Sequence, residues 1–236
     1  MDRRSLPPLR GLPRFFIPAW DAGETRVELD KDVFDRIHHV LRLKTGDRIA
    51  LLPNDGTLWE AVLDGRSALL DEQHAPDTES ARAWTLTLSL PKADKLEDII
   101  RACTELGVAR FELIETDRTV VKWDAKKRED RCRRLESIAR ESAELAFRTR
   151  LPEILWRGTL AEVLTESTLV LSEAQGLEQT FEGPIEGKDR LVVGPEGGWS
   201  PRESTQVREY AVTLGPRVLR VETAAITACA LALCRG

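Results

Sequence analysis

From Trp84 onward, short strand-like apolar runs alternate with longer stretches of helical periodicity. Two parallel neighbours in a sheet must be joined by a crossover long enough to hold a helix, so this alternation predicts a mainly parallel sheet. Such a sheet carries helices on both faces, and the predicted fold class is therefore α/β. The predicted strands cover residues 85–90, 111–114, 168–171, 190–193 and 211–214, and the predicted helices cover residues 95–106, 126–147 and 223–233, with a further helix opening at a capping box formed by Ser200 and Glu203.

The first part of the chain has a different sequence pattern, in which shorter apolar runs are separated by residues typical of turns. Strands are predicted at residues 14–17, 48–52 and 58–63, and a helix at residues 32–43. Asn54-Asp55-Gly56 is a strong hairpin signal between the last two strands. Short strands around one helix indicate a small β-barrel-like module, followed by a polar linker near residues 74–82. We therefore predict two domains, covering residues 1–76 and 77–236.

The net charge of −5 conceals a local excess of basic residues. Between Arg118 and Arg134 there are eight lysines and arginines and only three acidic residues. A run of this kind is either a solvated helix face or a surface that contacts phosphates, and composition alone does not decide between the two.

Other classes of protein find little support in the sequence. No apolar run reaches the roughly 18–20 residues that a membrane span needs, and no apolar segment of a signal peptide follows the first arginines. We therefore expect a cytoplasmic protein without membrane contact. The four cysteines form no Cys-x-x-Cys pair and the three histidines lie far from them, so we predict no metal site.

Glycine-containing segments follow three of the predicted strands, at residues 171–176, 194–198 and 214–220. In open α/β sheets ligands bind beyond the carboxyl ends of the strands, and glycine lets the backbone approach a ligand closely. The chain has neither the phosphate-binding Gly-x-x-x-x-Gly-Lys-Ser/Thr loop nor a Gly-x-Gly-x-x-Gly segment opening a βαβ unit. Nucleoside triphosphates and dinucleotides are therefore poor candidates for the ligand.

Six segments occur together in the order found in one known family. They are Arg14-Phe-Phe-Ile17, His39-Val-Leu-Arg42 with Gly46-Asp47, Thr104-Glu-Leu-Gly-Val108, Pro152-Glu-Ile154, Gly194-Pro-Glu-Gly-Gly198 and Leu214-Gly-Pro-Arg-Val-Leu-Arg-Val-Glu-Thr-Ala224. With these the chain resembles the ribosomal small-subunit methyltransferase E family, which uses S-adenosylmethionine to methylate N3 of a uridine in 16S ribosomal RNA. The resemblance implies an N-terminal PUA-like RNA-binding domain, a C-terminal SPOUT domain with a trefoil knot, and a homodimer.

The resemblance also implies roles for individual residues. The cofactor would be bound by Leu171, Ser172, Gly194, Pro195, Glu196, Gly197, Gly198, Leu214, Gly215, Leu219 and Thr223. The RNA of the small subunit would be contacted by Arg14, Arg42, Arg118, Lys122, Lys126, Lys127 and Arg128. Uridine N3 must lose its proton, so Glu222 is a candidate proton acceptor and Arg220 a candidate for stabilising negative charge on the base. Each has a structural alternative: Glu222 as a carboxylate favoured by a helix dipole, and Arg220 as an ion-pair partner.

The chain departs from the family pattern at two places. The family's usual Glu-Gln pair reads Glu144-Leu145 here, and the lysine usual before Glu-Leu-Gly-Val is missing from Arg101-Ala102-Cys103. The two departures leave open a catalytically silent RNA-binding or ribosome-assembly protein on the same fold. A third interpretation, a small-molecule α/β enzyme, would leave the first domain and the basic run without a role.

Overall fold

The computed structural model describes residues 9–21, 23–173 and 179–234, and it divides the chain into two compact units. One unit combines Met1–Glu79 with Ala143–Leu151, and the other combines Ser80–Ser142 with Pro152–Gly236. The division after Glu79 falls close to the predicted boundary, but a contiguous second domain does not account for Ala143–Leu151. That segment packs with the first unit because Ala143 and Phe147 share an apolar cluster with its strand residues.

The first unit is built on a curled five-stranded sheet of order β1-β3-β4-β5-β2. Its strands are β1 (Arg14–Phe16), β2 (Arg26–Glu28), β3 (Arg48–Leu52), β4 (Leu58–Asp64) and β5 (Ser67–His74), with β1 parallel to β3 and the other pairs antiparallel. Neighbouring side chains enter different apolar clusters, since Phe15 packs with Ile37 whereas Phe16 packs with Phe147. This alternation follows from the two-residue period of a strand and lets one short strand join two cores.

The predicted helix of the first unit is shorter and less regular than expected. Helix α1 covers Lys31–Asp35 and continues as a π-helical turn over Arg36–Val40. The chain then leaves the helix at Arg42, whose φ of 59° lies in the left-handed region. Asn54 also has a positive φ of 66°, which fits the hairpin turn predicted between β3 and β4.

The second unit contains a six-stranded sheet of order β11-β9-β10-β6-β7-β8, in which every neighbouring pair is parallel. The strands are β6 (Thr85–Ser89), β7 (Arg110–Glu115), β8 (Glu153–Thr159), β9 (Thr168–Leu171), β10 (Arg190–Val193) and β11 (Ala211–Val212). The helices are α2 (Ala93–Glu105), α3 (Ala125–Leu145), α4 (Pro201–Val207) and α5 (Val221–Leu233). The predicted α/β class is confirmed, while β8 was not predicted and α5 begins two residues before its predicted start.

Both faces of this sheet are covered. Leu86 and Leu88 of β6 belong to the large core that includes residues of α2, α3 and α5. The opposite face buries Val192 of β10 against Val207 of α4 and Val163. None of the helices in the described part of the chain is both long and apolar enough to cross a membrane.

The strand order determines where the chemistry lies. Strands β11, β9 and β10 are immediate neighbours, although their sequence segments are separated by up to about forty residues. Because all three run parallel, the three glycine-containing segments emerge side by side at one edge of the sheet.

Candidate active site

A cavity of about 290 Å³ lies at the carboxyl ends of β9, β10 and β11. Most of the predicted cofactor residues line it, namely Leu171, Ser172, Gly194, Pro195, Gly197, Gly198, Leu214 and Leu219. The end of the first glycine-containing segment, residues 174–176, lies outside the described residues. Sequence reasoning missed several further lining residues, including Val193, Trp199, Arg217 and Val221.

Three predicted cofactor residues do not line the cavity. Glu196 directs its carboxylate toward Lys95, with Oε1 3.5 Å from Nζ. Thr223 is exposed on the first turn of α5. Gly215 has a φ of 109° and exchanges two hydrogen bonds with Thr213, so it shapes the turn after β11 and does not form the cavity wall.

The turn after β10 is held in place by Trp199. The indole Nε1 donates a 3.2 Å hydrogen bond to the carbonyl of Leu171, which joins the end of β10 to the end of β9. A Cβ atom at Gly194 would lie only 2.9 Å from the Trp199 ring, so glycine is required there by the close approach of the indole. Gly198, with a φ of 67°, closes the turn by donating to the carbonyl of Pro195.

The predicted capping box is confirmed. It connects the turn after β10, residues 194–198, which is called the cofactor turn below, to the loop after β7. Ser200 accepts from the backbone N–H of Glu203, and the buried Glu203 carboxylate accepts from Ser200 N and from Asp117 N. The Asp117 carboxylate in turn accepts from Ser200 Oγ and from the Arg202 guanidinium. Hydrogen bonds from Arg202 and then Ser200 hold the pKa of Asp117 below its ordinary value.

Arg118 lies at the cavity, although the sequence placed it among the RNA contacts. Its guanidinium donates a 2.8 Å hydrogen bond to the carbonyl of Gly197, and its aliphatic stem lies 3.4 Å from the position that a Cβ of Gly197 would take. Arg118 therefore braces the cofactor turn from the β7 side. Its contact with RNA stays a prediction.

The other basic residues of this run differ in whether their side chains already have an ion pair or a ring contact. Lys122 forms an ion pair with Glu115 at 2.9 Å, and Arg128 stacks on the ring of Trp156 at 4.8 Å. Lys126 and Lys127, in the first turn of α3, are exposed and form no ion pair with any described residue. These two lysines therefore have no ion partner among the described residues that a phosphate would have to displace, and their contact with RNA stays a prediction.

The two predicted RNA contacts in the first unit differ in the same way. Arg14 donates to the carbonyls of Glu144, Leu145, Arg10 and Leu12 and lies over the Phe147 ring. Burial, opposed by the charge of Glu144, lowers the pKa of Arg14. This guanidinium would have to give up backbone hydrogen bonds to contact a phosphate, so the geometry supports a structural role. Arg42 is exposed and free to contact a ligand.

The structure shows what the departure from the family pattern at Leu145 changes. Glu144 is buried, accepts from Phe16 N at 3.0 Å and pairs with Arg36. The neighbouring Leu145 side chain is 78% exposed. The change from glutamine to leucine therefore alters a surface and leaves the contacts of Glu144 intact.

The two candidate catalytic residues lie at the start of α5, beside the cavity. Arg220 occupies the N-cap position, is exposed and makes no ion pair with the described residues. Glu222 lies in the first turn, with Oε2 3.3 Å from Lys95 Nζ. A hydrogen bond from its own backbone N–H, followed by the nearby Lys95 and Arg220 charges, holds the pKa of Glu222 below its ordinary value despite partial burial. The carboxylate is therefore ionised at neutral pH.

One group of residues in the described chain has the composition of a metal site. Oxygen and nitrogen atoms of Glu60, Glu72 and His74 in the first unit lie within 4.8 Å of one another. Glu60 is already engaged, because it pairs with Arg48 and lies 2.9 Å from His74 Nε2. A metal ion would have to compete with Arg48 for the Glu60 carboxylate, and the predicted absence of a metal site stays a prediction.

Comparison with known proteins identifies the family of the chain. Residues 78–233 match the RNA methyltransferase domain family. Ribosomal RNA small subunit methyltransferase E of Synechocystis sp. is 34% identical over 224 residues, which cover 88% of this chain and 72% of that protein. The Bacillus subtilis protein of the same name is 33% identical, with 82% and 85% covered. A crystal structure of the Neisseria gonorrhoeae methyltransferase of this name, bound to S-adenosyl methionine, has a TM-score of 0.81 at 28% identity and covers 93% of this chain and 95% of its own.

The parallel sheet, the cavity at its strand ends and the matched domain define an RNA methyltransferase of the SPOUT type. The domain match spans most of the second unit, and the relatives are similar over both units. The chain belongs to the ribosomal RNA small subunit methyltransferase E family, and the resemblance carried by the six segments is confirmed.

Proposed function

We propose that this protein transfers a methyl group from S-adenosylmethionine to 16S ribosomal RNA of the small subunit, at N3 of a uridine. The observation that carries the proposal is the cavity formed jointly by the three strand-end segments, in a family whose Neisseria gonorrhoeae member binds the same cofactor. The uridine and its N3 position come from the family resemblance, and they are part of the proposal.

The residues of the cavity fit the cofactor. The cavity volume, about 290 Å³, is near the lower end of the roughly 300–1,000 Å³ typical of ligand pockets. Leu171, Leu214 and Leu219 supply apolar walls for an adenosyl group, and Ser172 supplies a polar group beside them. Gly194 and Gly197 line the cavity with backbone alone. A Cβ at Gly194 would clash with the Trp199 ring, whereas a Cβ at Gly197 would lie in ordinary contact with the Arg118 stem, 3.4 Å away.

When bound, the cofactor supplies an electrophilic methyl group attached to a sulfonium. The protein has to hold the acceptor base in line with that group and to manage the proton on uridine N3. Glu222, ionised and next in sequence to Val221 of the cavity wall, would accept this proton. Arg220, with no ion partner among the described residues, would stabilise the negative charge that develops on the base carbonyls.

The remaining partners belong to the same proposal. The first unit would act as the PUA-like RNA-binding domain, with Arg42 as an exposed contact. A cytoplasmic homodimer is expected from the family resemblance, and α5 offers an apolar surface for it. On this helix Ile226, Ala230 and Leu231 are only half-buried in the single chain. Sedimentation at several protein concentrations measures the oligomeric state.

The test uses purified protein, small ribosomal subunits from a strain lacking the gene, and S-adenosylmethionine with a labelled methyl group. Nucleoside mass spectrometry of the 16S RNA is expected to show one new 3-methyluridine. Label on another nucleoside would refute the N3 assignment while leaving methyl transfer intact. Calorimetry with the cofactor tests the alternative of a catalytically silent RNA-binding protein. Such a protein would bind no S-adenosylmethionine at millimolar concentration.

Replacing Gly194 with alanine is expected to weaken cofactor binding by roughly tenfold or more, about 1.4 kcal/mol. The new Cβ would lie 2.9 Å from the Trp199 ring, which must shift and give up its hydrogen bond to Leu171. Calorimetry of Gly194→Ala measures the change. Gly187→Ala is the control, since a Cβ there meets nothing within 4 Å and any strain from its φ of +73° stays local to that turn. Equal affinity in the Gly194 and Gly187 variants would contradict the proposed position of the cofactor.

Neutralising Lys126 and Lys127 together is expected to weaken RNA binding without weakening the fold. Two positive charges in the first turn of α3 oppose the helix dipole, so Lys126→Gln with Lys127→Gln should leave the thermal midpoint unchanged or slightly higher. The slope of log affinity against log salt should become shallower by about one unit for each phosphate that is no longer neutralised. Arg133→Gln is the control on the same helix, because Arg133 is already paired with Glu129 and Asp130. An unchanged salt slope in the double variant would show that Lys126 and Lys127 do not contact the RNA.

A further inference from the structure

Lys95, in the first turn of α2, lies between two carboxylates that come from different segments. Its Nζ is 3.5 Å from Glu196 Oε1, in the turn after β10, and 3.3 Å from Glu222 Oε2, in the first turn of α5. The three side chains are only 25–35% exposed. One ammonium group therefore connects the start of α2 to two segments that lie far from it in the sequence.

Each carboxylate is adjacent in sequence to a residue of the cavity wall. Gly197 follows Glu196, and Val221 precedes Glu222, and both Gly197 and Val221 line the cavity. The distance between the two carboxylates therefore constrains the distance between the cofactor turn and the start of α5.

The Glu222 carboxylate has two close contacts, the N–H of its own backbone and the Lys95 ammonium. Its Oε2 is shielded from solvent and accepts no well-aligned hydrogen bond from the described residues, so the ion pair with Lys95 is its close contact. The other charged groups near it are Glu196, which pairs with the same ammonium, and Arg220, two residues earlier in the chain. Without Lys95 the two carboxylates would lose the counter-charge that they share, and each negative charge would disfavour the other.

We propose that Lys95 is a positioning residue for methyl transfer, which sets the spacing between the cofactor turn and the acceptor-side residues of α5. This inference rests on the proposed function of the site. Lys95 acts through Glu196 and Glu222 and needs no contact of its own with either substrate.

The experiment compares Lys95→Met, which removes the charge, with Lys95→Arg, which keeps it. Arg110→Met is the matched control, because it removes an ion pair with Glu153 at the opposite, amino-terminal end of the sheet. Lys95→Met is expected to raise KM for the cofactor about tenfold and to lower kcat by roughly tenfold to a hundredfold, since small misplacements of reacting groups have effects of this size. Lys95→Arg should recover most of both losses, and Arg110→Met should change neither.

Two pH measurements separate positioning from a general loss of structure. Loss of the Lys95 charge should raise the pKa of Glu222, so the acidic limb of the kcat profile should move to higher pH in Lys95→Met and stay near the wild-type position in Lys95→Arg. Carbon NMR of the Glu222 carboxyl group should show the same shift in the protein without cofactor. An unchanged Glu222 titration together with unchanged cofactor affinity by calorimetry would overturn the inference. If the wild-type protein methylates no RNA, the proposed function fails instead, and the titration and calorimetry still decide the role of Lys95.

Discussion

Replacing Arg220 with methionine is expected to lower kcat for RNA methylation by roughly 10²–10³-fold, the usual effect of removing one donor that stabilises a developing anion. Arg220 is exposed at the N-cap position of α5 and has no ion partner among the described residues. Its loss should therefore leave the fold and the cofactor cavity, which it does not line, essentially unchanged. Single-turnover kinetics with small subunits measure kcat, and calorimetry measures cofactor affinity.

Two further variants define what Arg220 contributes. Arg220→Lys retains the charge but loses the planar pair of donors that suits two base carbonyls, so it should recover only part of the rate. Arg208→Met, which removes another exposed arginine of the same unit, should behave as wild type. A kcat for Arg220→Met within twofold of wild type would show that Arg220 does not stabilise the negative charge on the base and that another group must do so.

Replacing Glu79 with alanine is expected to lower the free energy of unfolding of the first unit by about 3 kcal/mol. Glu79 is the ion partner of Arg148, whose side chain is 4% exposed, and it also accepts from the backbone N–H groups of Thr149 and Arg150. Removal of the carboxylate leaves a buried guanidinium without that counter-charge and two N–H groups without that acceptor. Urea denaturation followed by tryptophan fluorescence measures the change.

The comparison with Glu79→Gln separates charge from hydrogen bonding. Glutamine keeps one acceptor for the N–H groups, so its destabilisation should be smaller than that of alanine. Cofactor binding belongs to the second unit and should survive in both variants at low temperature. If Glu79→Ala unfolds at the wild-type urea concentration, residues 143–151 are not anchored to the first unit through this contact.

Some of the site could be predicted because it depends on neighbours in sequence. The capping box of Ser200 and Glu203 joins residues three apart, and any helix that starts there will form it. The turn at residues 194–198 follows directly from its glycines at a strand end. The alternating periodicity was sufficient for the α/β class, whereas the trefoil knot that the resemblance implies leaves no trace in periodicity.

Other parts could not be predicted because they depend on contacts between distant segments. Trp199 and Lys95 have no local motif, and their importance follows from the 3.2 Å bond to Leu171 and from the two nearby carboxylates. The basic residues show the same limit, since Arg14 and Arg118 bind backbone carbonyls while Lys126 remains exposed. Residue type indicates a positive charge, but it does not indicate which partner that charge will meet.

The sequence by itself determined most of the local elements of this protein: where glycine permits close approach, which strand ends carry polar residues, and where most strands and helices run, although β2, β5 and β8 were not predicted. Only the tertiary structure decided that β11, β9 and β10 stand side by side and that Lys95 comes between two glutamates. The physical reason is that strand pairing uses backbone hydrogen bonds that nearly every residue can make. The choice of partner is therefore made by the packing of both sheet faces as a whole.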